Sequence, residues 1–341
     1  MIFLDARKYI AAAIESVLAQ SIDDWELVLV DDGSGDGSRT IADAYAARDS
    51  ERIRVYTHPG GANLGTGPSR NLGMEQARGR YLAFLDADDL YHPERLERCV
   101  RVLDDHPELG VVISRELYWR RWGDGGNRSL LPDKVVGPSA AYDRAIPPPQ
   151  LIASILGTRG TPMPAICSIT FRRDTINALG GIPERFDSQY EDQVLVVKLL
   201  LTCSVMVIPD CLAKYRQHAE SLTHMARRMG TYRPGQPCEA RRSFIEWLAE
   251  YLRSEHIDDP VLNLVTAAEL AKASGYTPAA RITQARKLVA RFVLAAAAVV
   301  LPRCAMDKLI TRYWAAEKAR IARQAALNAR RGENRETENF R

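Results

Sequence analysis

Three pairs of acids, one arginine and one histidine have types and spacings that could do chemistry. Asp86 and Asp88 stand one residue apart after the apolar run Tyr81–Leu85. Their carboxylates are hard oxygen ligands suited to Mg²⁺ or Mn²⁺, and a cation held by so few protein groups completes its shell with substrate phosphates. Asp31 and Asp32 close a second apolar run and could accept hydrogen bonds from a nucleotide base or ribose. Arg70 and Asn71 open a helical segment after Gly65 and Gly67, and arginine near a helix start can meet a phosphate bidentately. Glu191 and Asp192 open a long apolar segment and offer a carboxylate base. His218, after Tyr215-Arg216-Gln217, could bring an imidazole to a metal or a diphosphate. Each also has a plainer reading. Asp31 to Ser38 suits a turn and a helix cap, first-turn acids suit the helix dipole, and a single arginine or histidine is often structural.

What must position these residues is an alternation of helix and strand. Residues 6–20 place Ile10, Ile14, Val17 and Leu18 at helical spacing, and 26–31 is a short apolar run ending in acids. Helix is expected at 38–48, strand at 53–57, a glycine- and proline-punctuated loop at 58–68, then helix to about residue 78. Strands follow at 80–85 and 110–114, with a helix between them opened by Pro93. This pattern predicts an α/β fold with a doubly wound, mainly parallel sheet, whose ligands bind beyond the carboxyl ends of the strands. The two acid clusters after strands are expected on one rim. Residues 120–149 read as one long loop, 165–171 as strand, 191–202 as helix, 204–208 and 211–216 as two strands, and everything from about 239 as helix.

Composition narrows the function classes. The chain has 341 residues, a net charge of +3 and 7% aromatic residues, which argues against nucleic acid as a partner. Six cysteines, with no two separated by two residues, argue against a zinc ribbon or thioredoxin-type motif and fit reduced thiols. No signal peptide is visible, and the longest apolar stretch, Phe292–Leu301, is half the roughly 20 residues of a membrane span. Residues 281–331 carry twelve Lys/Arg against Asp307 and Glu317; the plain reading is a solvated helix face and the sharper one an anionic membrane surface or an acidic partner. The expectation is a cytoplasmic protein, with peripheral contact at the inner face of the membrane as the sharper alternative.

Two look-alike motifs fail on detail. The glycines at 33, 35 and 37 and at 65 and 67 do not complete a dinucleotide loop. Phe84–Asp88 resembles a haloacid-dehalogenase-type nucleophile motif, but Leu90 stands where that family has Thr or Val.

Taken together, the pattern resembles the family 2 glycosyltransferases of GT-A fold, of the inverting, non-processive bacterial type. The resemblance is carried by Trp25–Ser34 (WELVLVDDGS), Pro68–Gly73 (PSRNLG), Tyr81–Asp89 (YLAFLDADD), Gly180–Phe186 (GGIPERF), Tyr190-Glu191-Asp192 and Tyr215-Arg216-Gln217-His218. It covers residues 1 to about 225, with a helical C-terminal region at 226–341. It implies that Asp31 or Asp32 contacts the base and that Arg70 lies near the base or phosphates. Asp86 and Asp88 would form the Asp-x-Asp motif, with Asp86 nearer the ribose and Asp88 on the metal. Asp192 would be the base, Glu191 its neighbour, and His218 would approach the metal or diphosphate. The implied cofactor is a divalent cation, Mn²⁺ or Mg²⁺. The implied partners are a nucleotide-sugar donor, a UDP sugar first, and a glycan, lipid-linked or small-molecule hydroxyl acceptor.

The sequence departs from that family in two places. Only Ile2-Phe3-Leu4-Asp5 precedes the first helix, where the family has a full strand, so a start further upstream is expected. The Gln-x-x-Arg-Trp motif of processive synthases is missing, which implies single-sugar transfer. Two other readings stay open. A sugar-1-phosphate nucleotidyltransferase would need a basic, glycine-rich N-terminal loop. A binding protein on a decayed transferase scaffold would bind nucleotide without turnover. Trp119 and Trp122 stand where acceptor contacts could arise.

Overall fold

The computed structural model describes residues 1–122, 131–138, 142–157, 162–186, 189–230 and 238–273. Residues 1–274 form one compact unit, and the basic stretch 281–331 lies outside the described residues.

The first third of the chain builds a small parallel sheet. β1 (Ile2–Phe3) leads to α1 (Ile10–Leu18), β2 (Leu27–Asp31), α2 (Ser38–Arg48), β3 (Ile53–Thr57) and α3 (Thr66–Gln76). β2 lies between β1 and β3, and both pairings are parallel. α1 buries Ile10, Ala13, Ile14 and Val17, the one stripe its helical spacing provides, against Leu27, Leu29 and Ile53. All five residues of β2 are buried, as expected of a central parallel strand covered on both faces. The short β1 pairs Phe3 with Asp31, and Ile2 forms a parallel bridge to Asp86. That bridge sets the two acid clusters on either side of β1, with Asp86 level with Val30, one residue before Asp31.

The second sheet is mixed. It contains β4 (Tyr81–Ala83), β5 (Leu90–Tyr91), β6 (Leu109–Trp119), β7 (Lys134–Val136), β8 (Ala145–Ile146), β9 (Ile169–Arg172) and β10 (Ser204–Arg216). The order is β4-β9-β6-β10-β5, with β7 on β6 and β8 on β10. β6 and β10 are parallel, whereas β9 runs antiparallel to both β4 and β6. Helices α4 (Arg95–Asp105), α5 (Gln150–Gly157), α6 (Asp174–Leu179), α7 (Glu191–Thr202), α8 (Leu222–Met229), α9 (Glu239–Ser254) and α10 (Pro260–Ala273) complete the described chain.

Three expectations need correction. The two strands at 204–208 and 211–216 are one strand, β10, bulged between Val207 and Ala213. Pro209 lacks a ladder donor, so the interruption in the pattern marks a bulge rather than a strand end. The loop at 120–149 contains the short strands β7 and β8, which take their pairing from β6 and β10 rather than from any pattern of their own. The helices α5, α6 and α8 were not expected at all.

α7 anchors the site from behind. Nine of its twelve residues are buried, including every residue from Val194 to Leu201. Each buried Val or Leu contributes about 1.5–3 kcal/mol, so the helix has no freedom to slide, and its first turn is fixed in space. Arg95 is fully buried on α4. Its guanidinium donates to the carbonyls of Cys167 and Ile169 and to Thr170 Oγ1, each at 3.0 Å, which ties α4 to β9.

Candidate active site

The acid-rich turn after β4 is held at both ends. Asp89 is 1% exposed, and its Oδ1 accepts the Arg216 N–H at 2.9 Å. Arg216 Nε returns a bond to the Asp88 carbonyl at 2.7 Å. The turn is thereby tied to the end of β10, and the Asp86 and Asp88 side chains point different ways. Asp88 Oδ2 lies 2.8 Å from His218 Nε2. Asp86 Oδ1 accepts from Arg70 Nη2 at 2.8 Å.

Arg70 is 4% exposed, and its other terminal nitrogen, Nη1, donates to Glu191. One guanidinium therefore bridges the turn after β4 and the first turn of α7. The resemblance put Arg70 near base or phosphates, whereas here both terminal nitrogens are taken by carboxylates and the buried Nε has no partner. Burial opposes the Arg70 charge, but Asp86, Glu191 and Asp192 more than offset this and hold the guanidinium above its ordinary range. α3 approaches closely enough to make this bridge because Gly67 leaves no room for a Cβ beside the Phe186 carbonyl. Asn71 locks the same contact by bonding the Ile182 carbonyl at 2.8 Å and the Ile182 N–H at 2.9 Å.

Asp31 and Asp32 shape the rim beside this cluster. Both are buried. Asp31 accepts the Ser34 N–H at 2.9 Å and faces Arg39 Nη1 at 3.8 Å. Asp32 accepts the N–H groups of Leu64 and Gly65 at 2.8 and 3.0 Å, so it organises the loop before α3. Gly33 between them and Ser34 has φ 86, and a side chain there would press on the Gly61 carbonyl.

Electrostatics separate the acids. Burial, helped by Asp88 but opposed by Arg70, pushes Asp86 above the usual carboxylate range. Burial and then the Glu191 charge push Asp192 up to about 7, against the pull of Arg70. Asp192 is partly exposed, and its Oδ1 accepts the Gln193 N–H at 2.7 Å. It is a carboxylate that holds or releases a proton near neutrality and can reach solvent.

Several contributors escaped the sequence reading. Tyr9 brings its hydroxyl to 3.3 Å from His218 Nδ1 and donates to Glu220 at 3.0 Å. Asp89 and Arg216 were legible only as neighbours of Asp88 and His218. Trp119 and Trp122 both pack on the Arg216 guanidinium, each ring centre 4.7 Å away. His58 is buried against Ser69 and Asp32 and gave no sequence signal.

Among the described residues, no three His, Cys, Asp or Glu side chains stand close enough to hold a metal ion by themselves. Asp88 and His218 supply one oxygen and one nitrogen donor facing each other. A pair of donors on an acid-rich rim fits a cation that takes the rest of its shell from water and substrate phosphates.

Comparison with known proteins supplies the context. The family model "Glycosyl transferase family 2" matches residues 1–176. An uncharacterized glycosyltransferase of Nostoc sp., alr2836, is 28% identical over 221 residues, 64% of this chain and 63% of that protein. The chain thus spans less than two thirds of that relative. A crystal structure of S. aureus TarS 1–349 in complex with UDP-GlcNAc superposes with a TM-score of 0.55 at 20% identity, covering 81% of this chain and 72% of the other. The mannosyltransferase PcManGT from Pyrobaculum calidifontis, in complex with GDP-Man and Mn²⁺, does so with a TM-score of 0.50 at 18% identity, covering 92% and 78%. At these identities the likeness is one of fold.

Proposed function

This chain belongs to glycosyl transferase family 2, and from that premise we propose that it moves a single sugar from a nucleotide-diphosphate sugar to a hydroxyl acceptor with inversion. The observation that carries the proposal is the Arg70 bridge, which brings the Asp86–Asp88 turn and the Glu191–Asp192 helix start onto one rim. Nothing in a plain capping role requires a buried arginine to join two acid pairs.

In this reading the nucleotide lies across the ends of β1 and β2, with Asp31 and Asp32 lining its base side and Asp86 near the ribose. Asp88 and His218 would hold a Mn²⁺ or Mg²⁺ ion together with the donor. Such an ion, when bound, supplies positive charge to the departing diphosphate. Asp192 takes the proton from the acceptor hydroxyl, and the acceptor oxygen attacks the anomeric carbon from the face opposite the diphosphate. The bond from that carbon to the diphosphate oxygen breaks as the new bond forms. Glu191 and Arg70 fix the start of α7, so Asp192 stays aimed at the reacting face. The complexes of TarS with UDP-GlcNAc and of PcManGT with GDP-Man and Mn²⁺ support a nucleotide-sugar donor and a divalent ion. The basic stretch 281–331 is proposed, from its charge alone, to meet an anionic membrane surface or an acidic partner.

The test is a thermal-shift series on the full chain with UDP-GlcNAc and GDP-mannose, with and without Mn²⁺. One donor should raise Tm in a Mn²⁺-dependent way, since a ligand that binds only the folded state stabilises it by mass action. Asp88→Asn should lose that shift and the accompanying release of nucleoside diphosphate while unfolding as cooperatively as the parent. Undiminished nucleotide-dependent turnover in that variant would sink the assignment.

A further inference from the structure

Tyr190, the residue before the Glu191–Asp192 pair, has φ 65 and ψ 3. That is the left-handed region, which a bulky L residue rarely adopts without being held there. Its carbonyl nonetheless accepts the first helical bond of α7, from Val194 N–H at 2.9 Å. The conformation of Tyr190 therefore sets how α7 begins and where its first two carboxylates point.

What holds Tyr190 comes from α9, outside the matched residues 1–176. Phe244, 1% exposed, stacks on the Tyr190 ring with centroids 5.1 Å apart and planes at 23°. Arg241, one turn earlier, hydrogen-bonds the Tyr190 side chain. It also pairs with Glu269 of α10 at 2.7 Å. Trp247, at the next position on the same stripe, meets Phe186 edge-on at 5.8 Å. Spacings of three and four residues put Arg241, Phe244, Trp247 and Tyr251 on one helix face, and that face meets Phe186 and Tyr190.

We propose that Phe244 is a positioning residue of the active site. Its ring, with Arg241, clamps Tyr190 in the left-handed cap that aims Glu191 and Asp192 at the rim. A helix that carries no rim-facing acid of its own thus belongs to the catalytic apparatus. The catalytic consequence rests on reading Asp192 as the base; the clamp itself does not.

The experiment uses the full chain with Phe244→Leu, which keeps apolar bulk and removes the stacking plane, and Arg241→Gln, which spares the core if the first variant folds poorly. Asp192→Asn is run beside them. Amide hydrogen exchange is followed at Val194, and release of nucleoside diphosphate is measured from UDP-GlcNAc and GDP-mannose with Mn²⁺. Both clamp variants should speed exchange at Val194 selectively, leaving the β2 and β6 amides as protected as before. Phe244→Leu should lower kcat by about 10- to 100-fold, as misaimed catalytic groups do, with donor KM within about twofold of the parent on the same argument. Parental exchange at Val194 in both variants overturns the proposal, and so does faster exchange with parental kcat while Asp192→Asn loses turnover. Parental turnover in Asp192→Asn sinks the base assignment alone, since the exchange measurement needs no turnover and still decides the clamp.

Discussion

A general base works only when it is deprotonated, and desolvation at its half-buried position, then the Glu191 charge, raises Asp192 to about 7. The proposed mechanism therefore expects kcat to rise about tenfold per pH unit below that value and to level off above it. Nucleoside diphosphate release across about pH 5.5 to 8.5 checks this, and a flat profile would remove Asp192 from the role. The same residue argues for the Arg70 bridge. Besides burial, Glu191 and Asp86 push the Asp192 value up, and Arg70, with the Gln193 N–H, pulls it down. Removing one partner of a buried pair costs about 3–5 kcal/mol because the other charge is left stranded. Arg70 is thus a structural necessity for the acids as well as their electrostatic counterweight, and an arginine facing solvent would be neither.

Among the elements, β6 carries an acid in a place where strands seldom do. Glu116 is fully buried, Oε1 accepts the Ala165 N–H at a long 3.4 Å, and Oε2 has no partner. Burial pushes this carboxyl up to about 8. The folded state then holds a proton that the unfolded chain, with an ordinary glutamate, has given up. Between about pH 4.5 and 8 the folded state binds more protons, so stability falls as pH rises, by up to about 1.4 kcal/mol per unit. Glu116→Gln removes the titration. Its stability relative to the parent should climb with pH through that window and flatten above about 8. Urea unfolding at several pH values measures it, and a pH-independent difference would show that Glu116 is not held neutral. α7 illustrates the opposite arrangement: in its largely apolar body the one buried charge, Lys198, is satisfied by the carbonyls of Leu179 and Gly181 at 2.8 and 2.6 Å.

At the scale of the whole molecule, residues 1–274 fold as one unit although the family model matches only residues 1–176. The reason is packing. Phe244, Ile245, Trp247, Leu248 and Leu252 of α9 are all buried. At roughly 1.5–3 kcal/mol each, their loss rivals the about 5–15 kcal/mol by which a domain is stable. A chain ended at Met229 should therefore lose cooperative unfolding and near-ultraviolet circular dichroism, whereas one ended at Ser274 should keep both. A cooperative, native-like transition in the shorter chain would show that α9 and α10 are dispensable to the fold. No helix among the described residues is long and apolar enough to cross a membrane.

Much of this was legible in the sequence because it is local. A strand of alternating or continuous apolar residues that ends in acids announces its rim by itself, and β2, β3, α2 and α7 fall within a residue of where spacing put them. Residue types at those ends, with the order of the motifs, were enough to place the chain among the family 2 glycosyltransferases. Partnership was not legible, because it joins residues that the chain keeps far apart. Arg70 and Glu191 are 121 positions apart, and nothing near either one announces the other. His218 was readable as an imidazole behind a strand, but only the parallel pairing of β10 with β6 and the Asp89–Arg216 bond bring it to Asp88. Tyr190 reads as an ordinary aromatic until α9 folds over it. Periodicity and chemical type are properties of neighbouring residues, and they determined the elements and the kinds of chemistry available. Burial, charge pairing and strained backbone depend on what is packed alongside, and only the tertiary structure decided those.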